Sequence, residues 1–240
     1  MITDEVTGAL VRRAAVNNAV WCGAVCRAHE VVARYEGAGL WASASRTPPL
    51  YPDAVTLEPG AAARDVVRAV DIDSPGCSVK DSFADLDLAG DGFEVLFEAQ
   101  WIHRPAGAPL PASEADAAGL VWSEVSGAGE LAGWEAASGG VFPSVLLGAD
   151  GVVFLAGRAG GRIVAGGVAS TGGGVVGVSN VFGAAWAGVL GAAAVRWPAL
   201  DVVGYEHGED LEAAVRAGFA PIGPLRVWLR PSGEGQASTR

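Results

Sequence analysis

Between residues 144 and 181 the chain repeats one pattern, a short apolar run followed by a glycine turn. Ser144-Val-Leu-Leu147 precedes Ala149-Asp-Gly151, and Val152-Val-Phe-Leu-Ala156 precedes Gly160-Gly161. Arg162 to Ala169 precedes Gly172-Gly-Gly174, and Val175 to Val181 completes the series. Runs this short and this rich in valine, bounded by turn residues, predict strands. Gly-Gly and Asp-Gly pairs suit the tight turns of antiparallel hairpins. The expected product is a meander with one chain direction reversed at each turn.

Beyond residue 181 the pattern changes. Ala184 to Arg196 has helical composition and is stopped by Pro198, which cannot continue a helix. Val202-Val-Gly204 predicts a strand, and Glu209, Asp210 and Glu212 then mark the first turn of another helix, where carboxylates favour the positive end. Leu211 and Val215, four apart, are expected on its buried face. Arg216 falls in the last turn. Gly218 is placed to leave the helix at positive φ, so that Phe219 folds back onto the apolar face. Leu225-Arg-Val-Trp-Leu229 closes the chain as a strand.

Upstream, Val16 to Val32 has apolar residues at helical spacing. Leu40–Ser45, Asp53–Leu57, Cys77–Phe83 and Phe93–His103 predict strands, and Ala61–Val70 a short helix. Pro105-Ala-Gly-Ala-Pro-Leu-Pro111 breaks the pattern, because three prolines in seven residues cannot continue a central element. Residues 1–104 therefore form a first region, 105–119 a linker, 120–230 a second region and 231–240 a flexible tail. The second region opens with helical spacing through Leu120, Trp122, Val125, Leu131 and Trp134.

Bulk properties exclude several classes of function. Net charge is −11, and Lys80 is the only lysine among 16 basic residues, none of them clustered. No basic stripe exists for a phosphate backbone, so nucleic acid is not expected as a partner. The same charge disfavours anionic membrane surfaces. Val181–Val195, the longest nearly apolar stretch, falls short of the roughly 20 residues that a bilayer requires. Met1-Ile-Thr-Asp-Glu lacks the basic start of a signal peptide, and three cysteines form no framework, so a cytoplasmic location is expected.

The order of meander, helix, strand, helix, Gly-Phe pair and closing strand resembles the GNAT-superfamily N-acetyltransferases over residues 120–230. The resemblance implies an α+β fold, a mixed, mostly antiparallel sheet flanked by helices. The helix and strand content of residues 1–104 is consistent with a degenerate second half of the same kind, although no internal sequence repeat is visible. The implied function is transfer of an acetyl group from acetyl-CoA to a small-molecule or peptide amine. The alternative is a GNAT-fold binding or interaction protein without catalysis.

In such a core the thioester enters between two parallel strands, and the pyrophosphate meets the N-terminus of the next helix, where backbone N–H groups are free. The resemblance places the cofactor on Ser179, Asn180, Val181, Gly183, Ala184, Ala185, Trp186, Ala187 and Gly188. The family's basic loop residue would fall on Gly183 or Trp186, and its usual leaving-group tyrosine on Ala214, so both are missing here. Tyr205, Glu206 and His207 lie at the mouth of the strand gap and are the candidate catalytic residues. A histidine near neutral pKa suits proton transfer. Equally, Glu206 and His207 read as a polar loop entering a helix. The acceptor would bind in a cleft shaped by the first region, near Trp41, Tyr51 or Trp101. Cys22, Cys26 and His29 share one helical face but lack the fourth ligand of a structural zinc site, and buried cysteines are the expectation. No metal is expected. The remaining glycine runs fall between strands and read as turns, not phosphate cradles.

Overall fold

The computed structural model describes residues 4–111 and 119–231. Residues 112–118 of the expected linker and 232–240 of the expected flexible tail lie outside the described residues. The chain opens with α1 (Asp4–Ala28), longer at its start than its apolar spacing suggests, followed by β1 (Ala33–Glu36), β2 (Leu40–Ser43) and β3 (Ala54–Thr56). Helix α2 (Ala63–Ala69), β4 (Cys77–Asp81) and β5 (Glu94–Arg104) complete the first region. The second contains β6 (Val121–Glu124), α3 (Ala128–Ser138), β7 (Val152–Ala159), β8 (Arg162–Gly172) and β9 (Val175–Phe182). It ends with α4 (Trp186–Arg196), β10 (Val202–Glu206), α5 (Gly208–Arg216) and β11 (Ala220–Arg230).

The hairpins predicted at the Gly-Gly turns form, and the one predicted at Ala149-Asp-Gly151 does not. Gly160 and Gly161 sit at φ 55° and 82° between β7 and β8, and Gly173 and Gly174 at 59° and 73° between β8 and β9. Two successive positive φ values match the right-handed twist of the strands they join, which is why glycine occupies both positions. Three expectations fail. Residues 121–124 are an edge strand on β7, not helix, because Trp122 packs across the sheet beside Gly157. Ser144–Gly148 is one 3₁₀ turn that buries Leu146 and exposes Val145. On α5 the buried residue is Ala214, while Val215 is 45% exposed.

All strands join one sheet in the order β1-β2-β3-β4-β11-β5-β10-β9-β8-β7-β6. Its pairing repeats about a line between β11 and β5. On one side β3 runs parallel to β4 with α2 between them in sequence; on the other β9 runs parallel to β10 with α4 between. Each half also sends its last strand across that line: β11 pairs with β4, and β5 pairs with β10. The first region is thus a topological counterpart of the second, with strands exchanged at the centre.

Helix α1 lies against the centre of the sheet, its Ala14, Ala15, Cys22 and Cys26 packed with Trp101, Val203 and Leu225. Trp134 of α3 joins Trp21 and Phe154 in a cluster on that face. The opposite face is covered by α4 and α5 over Val176, Val178 and Val202, and by α2 over Val79 and Trp228. Burying aromatic and aliphatic side chains of this size contributes about 1.5–3 kcal/mol each. Gly218 takes φ 91°, and Phe219 turns back to lie edge-on to Trp186 at 5.1 Å.

Candidate functional site

Strands β9 and β10 pair only at Val176–Val202 and Gly177–Val203, then part. The cause is local. Between Gly166 and Val168 the pairing of β8 with β9 shifts from Phe182 to Ser179, so β9 has a bulge over residues 180–181. Asn180 takes φ 52° there, a left-handed conformation that asparagine tolerates better than most side chains. A bulge bends the strand that carries it, and this one turns β9 away from β10. At the base of the gap Gly204 lies so close to Val178 that a Cβ would stand 3.0 Å from its carbonyl oxygen.

On the α4–α5 face the gap opens into a cavity of about 410 Å³. Val181, Gly183, Ala184, Ala185, Trp186 and Ala187 form one wall. Gly183 is confined by φ 67° and by the Val164 carbonyl oxygen, 2.4 Å from where a Cβ would be. The other wall carries Glu206, Asp210 and Arg216. Burial first, and the Asp210 carboxylate second, push the Glu206 carboxyl from an ordinary 4.5 up to about 7.

Gly188 does not belong to this wall. A Cβ there would stand 2.0 Å from the Trp122 indole, so the residue is small to admit a tryptophan from β6. Ser179 faces away from the cavity, into a crevice of about 20 Å³ shared with Asn17, Trp21 and Tyr205, and Asn180 bonds its neighbour Ser179 at 3.1 Å.

Tyr205 is on the α1 face. It lines both that crevice and a further cavity of about 400 Å³ formed with Tyr51, Lys80, Phe97 and the prolines that precede Tyr51. Its ring meets Trp101 edge-on at 5.7 Å, and the Lys80 ammonium lies 4.0 Å from the ring centre. His207 is exposed at the start of α5, its ring 5.5 Å from that of Phe97. Alternation along β10 therefore sends Tyr205 and Glu206 to opposite sides of the gap. Of the three aromatic residues suggested for the acceptor cleft, Tyr51 lines the 400 Å³ cavity, Trp101 is buried and borders only the small crevice, and Trp41 is a buried core residue.

Two residues with a place in the site are given no site role by the sequence. Arg216 brings a positive charge to the cavity whose loop lacks one, and Lys80 brings another to the opposite face. Being the sole lysine is the available signal for Lys80. Cys22 and Cys26 are buried, and desolvation raises their thiols to about 11 and about 12, so both remain protonated. Among the described residues no group of three or more His, Cys, Asp or Glu side chains converges as a metal site, and no helix is long and apolar enough to cross a membrane.

No family model matches the sequence, and no curated protein matches it. Solved structures do match its fold. A GCN5-related N-acetyltransferase from Kribbella flavida superposes with a TM-score of 0.63 at 16% identity, covering 94% of this chain and 96% of that one. A putative acetyltransferase from the GNAT family from Novosphingobium aromaticivorans gives a TM-score of 0.54 at 17% identity, covering 90% and 97%. The chain has the GNAT fold. At 94% and 90% coverage, both matches extend across the first and second regions.

Proposed function

We propose that this protein is an N-acyltransferase that moves an acetyl group from acetyl-CoA to an amine. The observation that supports this reading above the others is the opening between β9 and β10, with a cavity on each face and Tyr205 and Glu206 directed to opposite sides. Small-molecule pockets commonly occupy about 300–1,000 Å³, so both cavities are of useful size. The donor belongs on the α4–α5 side. There its diphosphate would meet residues 183–187 at the start of α4, where backbone N–H groups favour anions, with Arg216 as counter-charge.

The amine enters from the α1 side. Its nitrogen attacks the thioester carbon; the N–C bond forms and the C–S bond breaks. His207 accepts the proton lost by nitrogen, and Glu206, about half protonated near pH 7, gives its proton to the departing sulfur. Tyr205 positions the acceptor at the gap. In this assignment Glu206 takes over from the absent tyrosine at position 214.

A second reading, a binding protein without turnover, draws on Trp122 covering Gly188 and on two carboxylates facing the donor cavity. Calorimetric titration with acetyl-CoA, followed by thiol release over a panel of amines, separates the two. Absence of heat and of a thermal shift at millimolar acetyl-CoA would sink the enzyme reading. Binding without thiol release from any amine would favour the second.

A further inference from the structure

The cavity on the α1 face contains an unusual charge for so acidic a chain. Its lining includes two cations, Arg46 and Lys80, and no carboxylate. Arg46 is neutralised by Asp53, which is itself buried. Lys80 is only 3% exposed, and among the described residues no carboxylate lies within ion-pair distance of it. Its ammonium has three donors. One is satisfied by Asn18 Oδ1 at 2.9 Å, and the remaining charge rests against the face of the Tyr205 ring. Buried charges are normally paired, and among the described residues this one has a neutral amide and an aromatic face as its partners.

The pocket around that charge is built in advance. Asp53 accepts bonds from the Thr47 amide at 2.9 Å and the Ser78 amide at 2.8 Å, and Thr47 Oγ1 donates to the Tyr51 carbonyl at 2.6 Å. These bonds anchor the Pro48–Tyr51 loop against β4. Thr47, Ser78 and the paired Arg46 also line the cavity, and Tyr51, Leu96, Phe97 and Val227 give it an apolar wall. Burial raises the Tyr51 phenol, which therefore stays neutral.

We propose that this cavity takes the amine acceptor and that the acceptor carries a carboxylate beside its amine and an apolar or aromatic side chain, as an α-amino acid does. Lys80 pairs with the carboxylate, the apolar wall receives the side chain, and Tyr205 fixes the amine at the gap. The assignment of the pocket to an acceptor rests on the acyltransferase reading; the preference for an anion does not.

The test needs no acyl donor. The full chain is titrated calorimetrically with L-phenylalanine, with phenethylamine, which lacks the carboxylate, and with 3-phenylpropanoate, which lacks the amine. Phenylalanine and phenylpropanoate should bind about 10- to 100-fold more tightly than phenethylamine, the range expected for a charge-assisted bond. Lys80→Met should erase that difference while leaving phenethylamine affinity and the melting temperature near wild type. Leu96→Trp, at the exposed edge of the pocket, should weaken all three probes. Equal binding of phenylalanine and phenethylamine, no binding of any probe at millimolar concentration, or a preference that survives Lys80→Met overturns the proposal. An acetyl-CoA titration run in parallel keeps the outcomes distinct, because its failure with the anion preference intact rejects only the donor site.

Discussion

Glu206 is the carboxyl at the gap that burial holds well above its ordinary range. If it protonates the departing sulfur, Glu206→Gln should lower kcat/KM by about 10²- to 10⁴-fold, the usual contribution of a general acid. Turnover in the wild type should decline as pH rises through about 7, and Asp210→Asn, which removes the second cause of the shift, should move that decline to lower pH. A rate that rises through the same window would reverse the assigned role. Stability gives an independent reading. Between about 4.5 and 7 the unfolded chain releases this proton while the folded chain keeps it, so stability falls as pH rises across the window and is level above it. Glu206→Gln has no proton to release. Its melting temperature relative to wild type should climb between pH 4 and pH 8, and a flat difference would mean the carboxyl is effectively in water.

At the level of elements, the close packing of α4 on β6 is the most exposed to test. Gly188→Ala drives a methyl into the Trp122 indole and should cost about 1–3 kcal/mol in chemical denaturation. In a Trp122→Ala background the same change should cost almost nothing, a coupling that a double-mutant cycle measures directly. Equal costs in both backgrounds would show that the indole is not the obstacle. This pair also shows where sequence reading stops. The hairpins are legible because Gly160-Gly161 and Gly173-Gly174 contain their own conformational requirement. Gly188 reads as part of a phosphate loop, since nothing nearby in sequence reveals a tryptophan arriving from residue 122. Residues 120–125 fit helical spacing as well as strand alternation, and the edge of β7 decides between them. Ser144–Leu147, a four-residue apolar run, carries too little periodicity to distinguish strand from turn. Strand β1 is mostly exposed and has no apolar alternation to read. The candidate catalytic residues are visible because Tyr205, Glu206 and His207 are adjacent, whereas Lys80 and Asn18 reach the site from distant segments and Arg216 from the far end of α5.

Across the whole molecule, the exchange of β5 and β11 makes the two regions one continuous sheet, which should unfold cooperatively. Leu225, fully buried on β11 between β4 and β5, is the place to perturb it. Leu225→Ala should cost about 2–5 kcal/mol, and hydrogen exchange should accelerate together in β3–β4 and β9–β10. Selective opening of the first region alone would argue against shared cooperativity. The same exchange has a consequence for how the chain is made. The neighbour that β4 needs lies ~140 residues downstream, a delay of about 10–30 s at ordinary rates of synthesis. Until β11 emerges from the ribosome, β4 presents an unpaired edge of the kind that recruits other strands. The nascent sheet is therefore vulnerable to aggregation until residues 220–230 have been made, after the other ten described strands already exist.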